Sequence, residues 1–224
     1  MASSPNRAVY CEDALGWLAR VQPLAEDHAL VTSLPDSSEL KLPAADWEAW
    51  FIEASRAVLR ATHERSVSVF YQSDVKQDGR WIDKSFLVQL AARELGAQLL
   101  FHKIVCRAPA GTITPGRPSY AHLLCFSRAL TLPVEQGAHF ADVLPSMGKM
   151  TWTRAMGLAA CRASCDFLRA ATQTRVVVDP FCGVGSMLAV ANAYGFDAIG
   201  VELSPKRAAR ARELHVHIDD VPDN

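Results

Sequence analysis

The sequence predicts one α/β domain built on a mostly parallel sheet. Three observations carry that expectation. Short β-rich runs alternate with stretches of helical periodicity along the chain. Val176-Val177-Val178 is a continuous apolar run, as a parallel strand covered on both faces requires. That run leads directly into a Gly-x-Gly turn that opens another helical stretch.

Composition agrees with this. The chain has 224 residues, 50% apolar and 21% charged, the values of an ordinary globular domain. A chain of this length buries roughly 70–75% of its unfolded surface and needs no disulfide or metal to fold. Lys and Arg number 23 against 24 Asp and Glu. Without a basic excess, a nucleic-acid partner must be argued from a site rather than from net charge. No run approaches the ~20 apolar residues of a membrane span. The start, Met1-Ala2-Ser3-Ser4-Pro5-Asn6-Arg7, lacks the apolar region of a secretion signal. The expectation is a cytoplasmic protein with no membrane partner. Cys11, Cys106, Cys125, Cys161, Cys165 and Cys182 show no paired Cys-x-x-Cys spacing, so they read as reduced thiols, mostly buried, rather than metal ligands.

The elements follow in order. Residues 9–11 form a short strand and 14–21 an apolar-periodic helix. Residues 29–32 are a second strand, ending in the turn Ser33-Leu34-Pro35-Asp36. Trp47, Trp50, Phe51, Ala54, Val58 and Leu59 recur at three- and four-residue steps and predict a helix over 46–62. A strand at 66–71 precedes a polar loop over 74–80, then a helix over 84–95 closed by Gly96. Strands at 97–106 and 120–127 flank a Pro/Gly-rich loop. Residues 128–150 read as a long loop or small lid. A helix over 153–170, the strand 175–178, a helix over 187–194, the strand 198–202 and a last helix from Pro205 complete the chain.

The strongest chemistry lies in Asp179-Pro180-Phe181-Cys182-Gly183-Val184-Gly185-Ser186. Glycines at such a turn let backbone approach a ligand closely. Glu202 ends the next strand, where a carboxylate can accept hydrogen bonds from both hydroxyls of a ribose. Asp179 beside the turn disfavours a phosphate there and suits a cation. Ser204 and Pro205 are helix-start residues.

These residues, with Gly200-Val201-Glu202-Leu203-Ser204-Pro205, resemble the two cofactor motifs of class I S-adenosylmethionine-dependent methyltransferases. Their C-terminal position resembles the circularly permuted order of the DNA amino-methyltransferases. The resemblance implies a Rossmann-like seven-stranded sheet, mostly parallel with one antiparallel strand at 120–127. It divides a single domain into a catalytic-loop half (1–127), a variable segment (128–150) and a cofactor half (151–224). It implies S-adenosylmethionine as cofactor, held by Asp179, Pro180, Phe181, Cys182, Gly183, Gly185, Ser186, Glu202, Leu203 and Ser204.

The N-terminal half fits the permutation. Tyr10-Cys11-Glu12-Asp13-Ala14-Leu15 resembles the motif whose acidic residue meets the adenine amine, which assigns Asp13 and Ala14 to the cofactor. Ser33-Leu34-Pro35-Asp36 occupies the place of the family's Asp/Asn/Ser-Pro-Pro-Tyr loop. There the polar residue and the next carbonyl orient an exocyclic amine, and the aromatic stacks on a flipped base. Ser33 and the Leu34 carbonyl retain the first role, and Ser33 also borders the cofactor. Pro35 fixes the loop, but Asp36 replaces the aromatic. Asp36 either holds or deprotonates the acceptor, or caps the following helix. Thr153, with Lys149 and Arg154 nearby, falls where the family contacts the methionine end of the cofactor.

His102 and His122 read as core histidines, and Lys206, Arg207, Arg210 and Arg212 as a solvated basic face. Cys182 lies in the cofactor turn, away from the loop, which disfavours covalent cysteine chemistry. The implied reaction is methylation of a nucleobase amine. The expected substrate is RNA or DNA, and with no insertion large enough for a target-recognition domain, RNA or a substrate presented by a protein partner is favoured over sequence-specific duplex DNA. A small-molecule or protein methyltransferase and a non-catalytic adenosylmethionine-binding subunit are the alternatives.

Overall fold

In the computed structural model of the protein, which describes residues 5–133 and 140–221, Val177 and Val178 are fully buried on opposite faces of a central sheet. Residues 134–139, within the expected lid, and residues 1–4 and 222–224 lie outside the described residues. The strands are β1 (Arg7–Tyr10), β2 (His28–Thr32), β3 (Ser68–Gln72), β4 (Val75–Gln77), β5 (Arg80–Ile82), β6 (Gln98–Cys106), β7 (Tyr120–Ser127), β8 (Val143–Leu144), β9 (Val176–Asp179) and β10 (Asp197–Val201). Eight of them form one sheet in the order β1-β10-β9-β2-β3-β7-β6-β8. From β1 to β3 every pairing is parallel, and β7 runs antiparallel to both its neighbours.

All seven expected strands are present, and two-residue β8 adds an edge beside β6. It comes from the 128–150 segment, so part of that segment is sheet rather than loop. The polar loop at 74–80 instead folds into the β4–β5 hairpin. Asp78 and Gly79 both take left-handed backbone (φ 48° and 78°), the pair of conformations a tight hairpin turn needs.

The helices are α1 (Ala14–Val21), α2 (Ser37–Leu40), α3 (Ala44–Ala61), α4 (Lys84–Glu94), α5 (Leu158–Ala171), α6 (Ser186–Ala193) and α7 (Pro205–Glu213). The helix expected from 153 begins at Leu158, because Gly157 is its extended N-cap. A Cβ at Gly157 would lie 2.0 Å from the Met147 carbonyl oxygen, so the preceding segment is pressed against that backbone. α5, α6 and α7 cover one face of the sheet, and α1, α3 and α4 the other. Trp47 and Phe51, the largest fully buried side chains of α3, each contribute roughly 2–3 kcal/mol of apolar burial.

This topology creates the site. The helix after β9 packs on one face and the helices after β2 on the other, so a crevice opens between the carboxyl ends of these adjacent strands, where open α/β sheets bind ligands. Among the described residues no helix is long and apolar enough to cross a membrane.

Candidate active site

The turn after β9 is held before any ligand arrives. Asp179 Oδ1 accepts from Thr32 Oγ1 (2.7 Å) and from the Phe181 amide (3.1 Å). The Cys182 amide donates to the Val201 carbonyl (3.0 Å) and the Gly185 amide to the Cys182 carbonyl (2.8 Å). The turn is therefore tied to β2 and β10 as well as to its own strand. Burial pushes the Asp179 carboxyl up to about 7, against the lowering pull of the Thr32 and Phe181 hydrogen bonds. Burial likewise pushes the Cys182 thiol upward, so this cysteine is no thiolate nucleophile.

A cavity of about 240 Å³ occupies the crevice. Of the cofactor residues expected from the sequence, Asp13, Ala14, Ser33, Asp179, Pro180, Phe181, Cys182, Gly183, Ser186, Glu202 and Leu203 line it. A Cβ on Gly183 would meet nothing within 4 Å, so that glycine presents open backbone. Asp13 caps α1 through a bond from the Gly16 amide (2.7 Å). Glu202 Oε1 accepts from the Ser204 amide (2.7 Å) and from Arg207 Nε (2.9 Å).

Three expected cofactor residues lie elsewhere. Gly185 does not line the cavity: its φ is 86°, and a Cβ there would lie 2.9 Å from the Cα and Cβ of Ala211, so its role is close packing under α7. Ser204 is the N-cap of α7, accepting from the Arg207 amide at 3.5 Å. Thr153 borders a second cavity.

That second cavity, about 60 Å³, adjoins the first at Ser33, Leu34, Glu39, Arg154 and Ala155, which line both. Its other walls include Asp36, Tyr71, Gln72, Lys84, Arg107 and Arg117, so four cations face two acids. The loop after β2 is rigidly placed here. Leu34, standing where the family has proline, is buried in the core, and Trp47 Nε1 donates to the Pro35 carbonyl (3.2 Å). Asp36 is the N-cap residue of α2, and its amide donates to Glu39 Oε1 (3.2 Å). Its carboxylate accepts from Lys84 and from Arg117 (3.3 Å).

Sequence reasoning missed several walls. Trp50 belongs to the stripe expected to face the core, but it meets Phe181 edge-on at 5.9 Å and lines the larger cavity. Trp152 also lines it, with the Arg207 guanidinium 5.8 Å above its ring. Arg207 therefore leaves the solvated face, while Lys206 and Arg210 remain exposed. Of the two histidines expected in the core, His122 is buried and His102 is exposed on β6; they bond each other (2.9 Å), and His122 bonds Asp74 (3.2 Å).

The sheet order, the crevice and the turn define the class I methyltransferase fold. No family model and no curated protein matches the sequence. Solved structures do. A Thermus thermophilus protein assigned as a DNA modification methylase is 25% identical, with a TM-score of 0.66 over 97% of this chain and 96% of that one. Its complex with S-adenosyl-L-methionine aligns at 24% identity and a TM-score of 0.67, covering 96% and 95%. The cytosine-N4-specific PvuII DNA methyltransferase aligns at 17% identity and a TM-score of 0.72, covering 97% of this chain and 90% of that one. The resemblance read from the sequence thus reappears as a shared fold.

Proposed function

We propose that the protein is an S-adenosylmethionine-dependent methyltransferase that acts on an exocyclic amine of a base in DNA. The observation that carries this reading is the meeting of the two cavities at Ser33, one lined by the adenosine-type residues and the other bordered by cations. When bound, the cofactor supplies an electrophilic methyl group on a sulfonium. The chain's own groups suit it: Asp179 offers a buried carboxylate to its cationic end, Glu202 offers Oε2 to ribose hydroxyls, and Gly183 leaves backbone open to it. Ser33 Oγ and the Leu34 carbonyl hold the acceptor amine and aim its lone pair, so positioning supplies most of the rate. The amine nitrogen gains the methyl carbon as the carbon–sulfur bond breaks, and its proton leaves to solvent. Asp36, committed to Lys84 and Arg117, acts as a positioning residue rather than a base.

Neighbours named for their substrate are named for DNA, so the expected preference for RNA finds no support. A basic rim also favours a polyanion over a small neutral acceptor. The test has two stages. Calorimetric titration with S-adenosylmethionine and S-adenosylhomocysteine should show binding that Glu202→Ala abolishes. Labelled methyl should then pass to DNA and appear as N4-methylcytosine or N6-methyladenine. Transfer to RNA alone would overturn the DNA assignment, and binding without transfer would favour the non-catalytic subunit.

A further inference from the structure

The loop after β2 and the end of β3 lie side by side. Thr32 pairs with Phe70 in the parallel ladder, so Ser33 and Leu34 continue beside Tyr71 and Gln72, and all four line the second cavity. Gln72 is 1% exposed, and neither Nε2 nor Oε1 of its side chain has a hydrogen-bond partner among the described residues. Tyr71 Oη is also buried without one. These orphaned atoms occupy two consecutive positions on the strand next to the candidate acceptor loop.

The polar neighbours of Gln72 make their bonds to other groups. His122 stands opposite it in the ladder, but its two ring nitrogens are engaged by His102 and Asp74. The Lys84 ammonium is bound to Asp36. Arg107 Nη1 donates to Ser73 Oγ (2.9 Å). A buried primary amide without partners is costly, and an apolar side chain of the same shape would carry no such cost. The group missing from the balance is therefore one that binds from outside the chain.

We propose that Gln72 is the residue that reads the methyl acceptor, binding the amidine edge of the accepting base. This rests on the reading of the site given above. An amidine edge places an exocyclic amine next to a bare ring nitrogen, as cytosine and adenine both do. Gln72 Nε2 donates to the ring nitrogen, and Oε1 shares with the Leu34 carbonyl the amine N–H that does not face Ser33. This is the two-point pairing that a glutamine amide makes with such an edge. Tyr71, next to it on the strand and also lining the cavity, supplies a second donor through its unpartnered hydroxyl.

The test combines one protein substitution with one atom of substrate. Wild type and Gln72→Met are compared on DNA duplexes carrying the normal acceptor base or its deaza analogue, 3-deazacytosine or 1-deazaadenine, in which C–H replaces the ring nitrogen. The expected results are a roughly 10- to 100-fold lower kcat/KM for the deaza duplex with wild type, and an equal or larger loss for Gln72→Met on the normal base, since methionine removes both amide contacts. The variant should show no further loss on the analogue, because the bond to the ring nitrogen is already absent in it. S-adenosylhomocysteine affinity should be unchanged, and the melting temperature of the variant should hold or rise. An equal deaza penalty in both proteins would overturn the assignment, as would full activity of the variant or a fall in its melting temperature. Wild type that binds S-adenosylhomocysteine and methylates DNA despite such a result would leave the proposed function standing. Wild type that does neither would overturn both.

Discussion

The Lys84 ammonium donates to the Asp36 carboxylate, tying the first turn of α4 to the loop after β2 across 48 residues of chain. The lysine side chain is 2% exposed and the aspartate 17%. Burial pushes the Lys84 ammonium below its ordinary value, while Asp36 pulls it back. Removing one partner strands the other, and for a buried pair that costs about 3–5 kcal/mol. Asp36→Asn should be the more damaging change, since Asp36 in Lys84→Met keeps Arg117 at 3.3 Å. The double variant Asp36→Asn/Lys84→Met should recover much of the loss. Urea unfolding of the four proteins checks this, and simple additivity would show the pair to be uncoupled.

Asp179 makes stability and cofactor binding move in opposite directions with pH. Burial, its largest influence, raises the folded carboxyl from 3.8 to about 7. Between those values the unfolded chain has lost a proton that the fold retains, so this group's contribution to stability is full below pH 3.8 and lost as pH rises through 7. Ionisation of the same carboxylate strengthens its attraction for a cationic ligand. S-adenosylhomocysteine lacks the sulfonium charge, so its affinity should rise less than that of S-adenosylmethionine as pH goes from about 6 to about 8. Asp179→Asn should abolish the difference in slope and raise the melting temperature of the free protein near pH 8 but not near pH 4. Parallel calorimetry at the two pH values reads the first effect, and thermal melts the second.

Much of this site was legible because its chemistry is contiguous. Asp179 to Ser186 is one turn, and Glu202 ends the next strand, so a short motif and one spacing located both ends of the larger cavity. Val176 to Val178 placed the central strand because burial on two faces leaves no polar alternation. Trp50 was not legible as a wall, since a helical stripe records which residues are apolar and not whether one at its margin faces core or cavity. Arg207 looked solvated because a basic run on a helix does not show that one member reaches back to Glu202, and Trp152 comes from a distant segment. Gln72 gave no signal at all. A glutamine ending a strand is ordinary, and only the three-dimensional inventory of hydrogen bonds shows it without a partner.

Arg207 has a definite job if Glu202 holds a ribose. Its Nε bonds Glu202 Oε1 at 2.9 Å and its Nη2 approaches the same oxygen at 2.7 Å, which fixes the carboxylate through one oxygen and leaves Oε2 outside these bonds. Losing a partly exposed charged bond of this type costs about 1–1.5 kcal/mol, so Arg207→Ala should weaken S-adenosylhomocysteine binding roughly tenfold, while Glu202→Ala removes it. Tighter binding to Arg207→Ala would mean that the guanidinium obstructs the site instead of ordering it.

Gly183 and Gly185, two residues apart, should fail in different ways when changed to alanine. Both have left-handed backbone, with φ of 56° and 86°, so each alanine carries a strain of roughly 1–2 kcal/mol. At Gly185 the new methyl also lies 2.9 Å from the Cα and Cβ of Ala211, contacts that open only if α7 shifts. Arg7 resists that shift: it bonds the carbonyl of Ala211 (3.0 Å) and that of Leu214 beyond the helix end, tying α7 to β1. Overpacking of this kind costs a further ~1–3 kcal/mol, so Gly185→Ala should lower stability markedly. At Gly183 the methyl meets nothing in the chain and enters the space assigned to the cofactor. In urea unfolding Gly183→Ala should therefore lose only the backbone strain, yet bind S-adenosylhomocysteine at least about tenfold more weakly. The reverse pattern, a stable Gly185→Ala and an unaffected ligand affinity in Gly183→Ala, would place the ligand away from this turn.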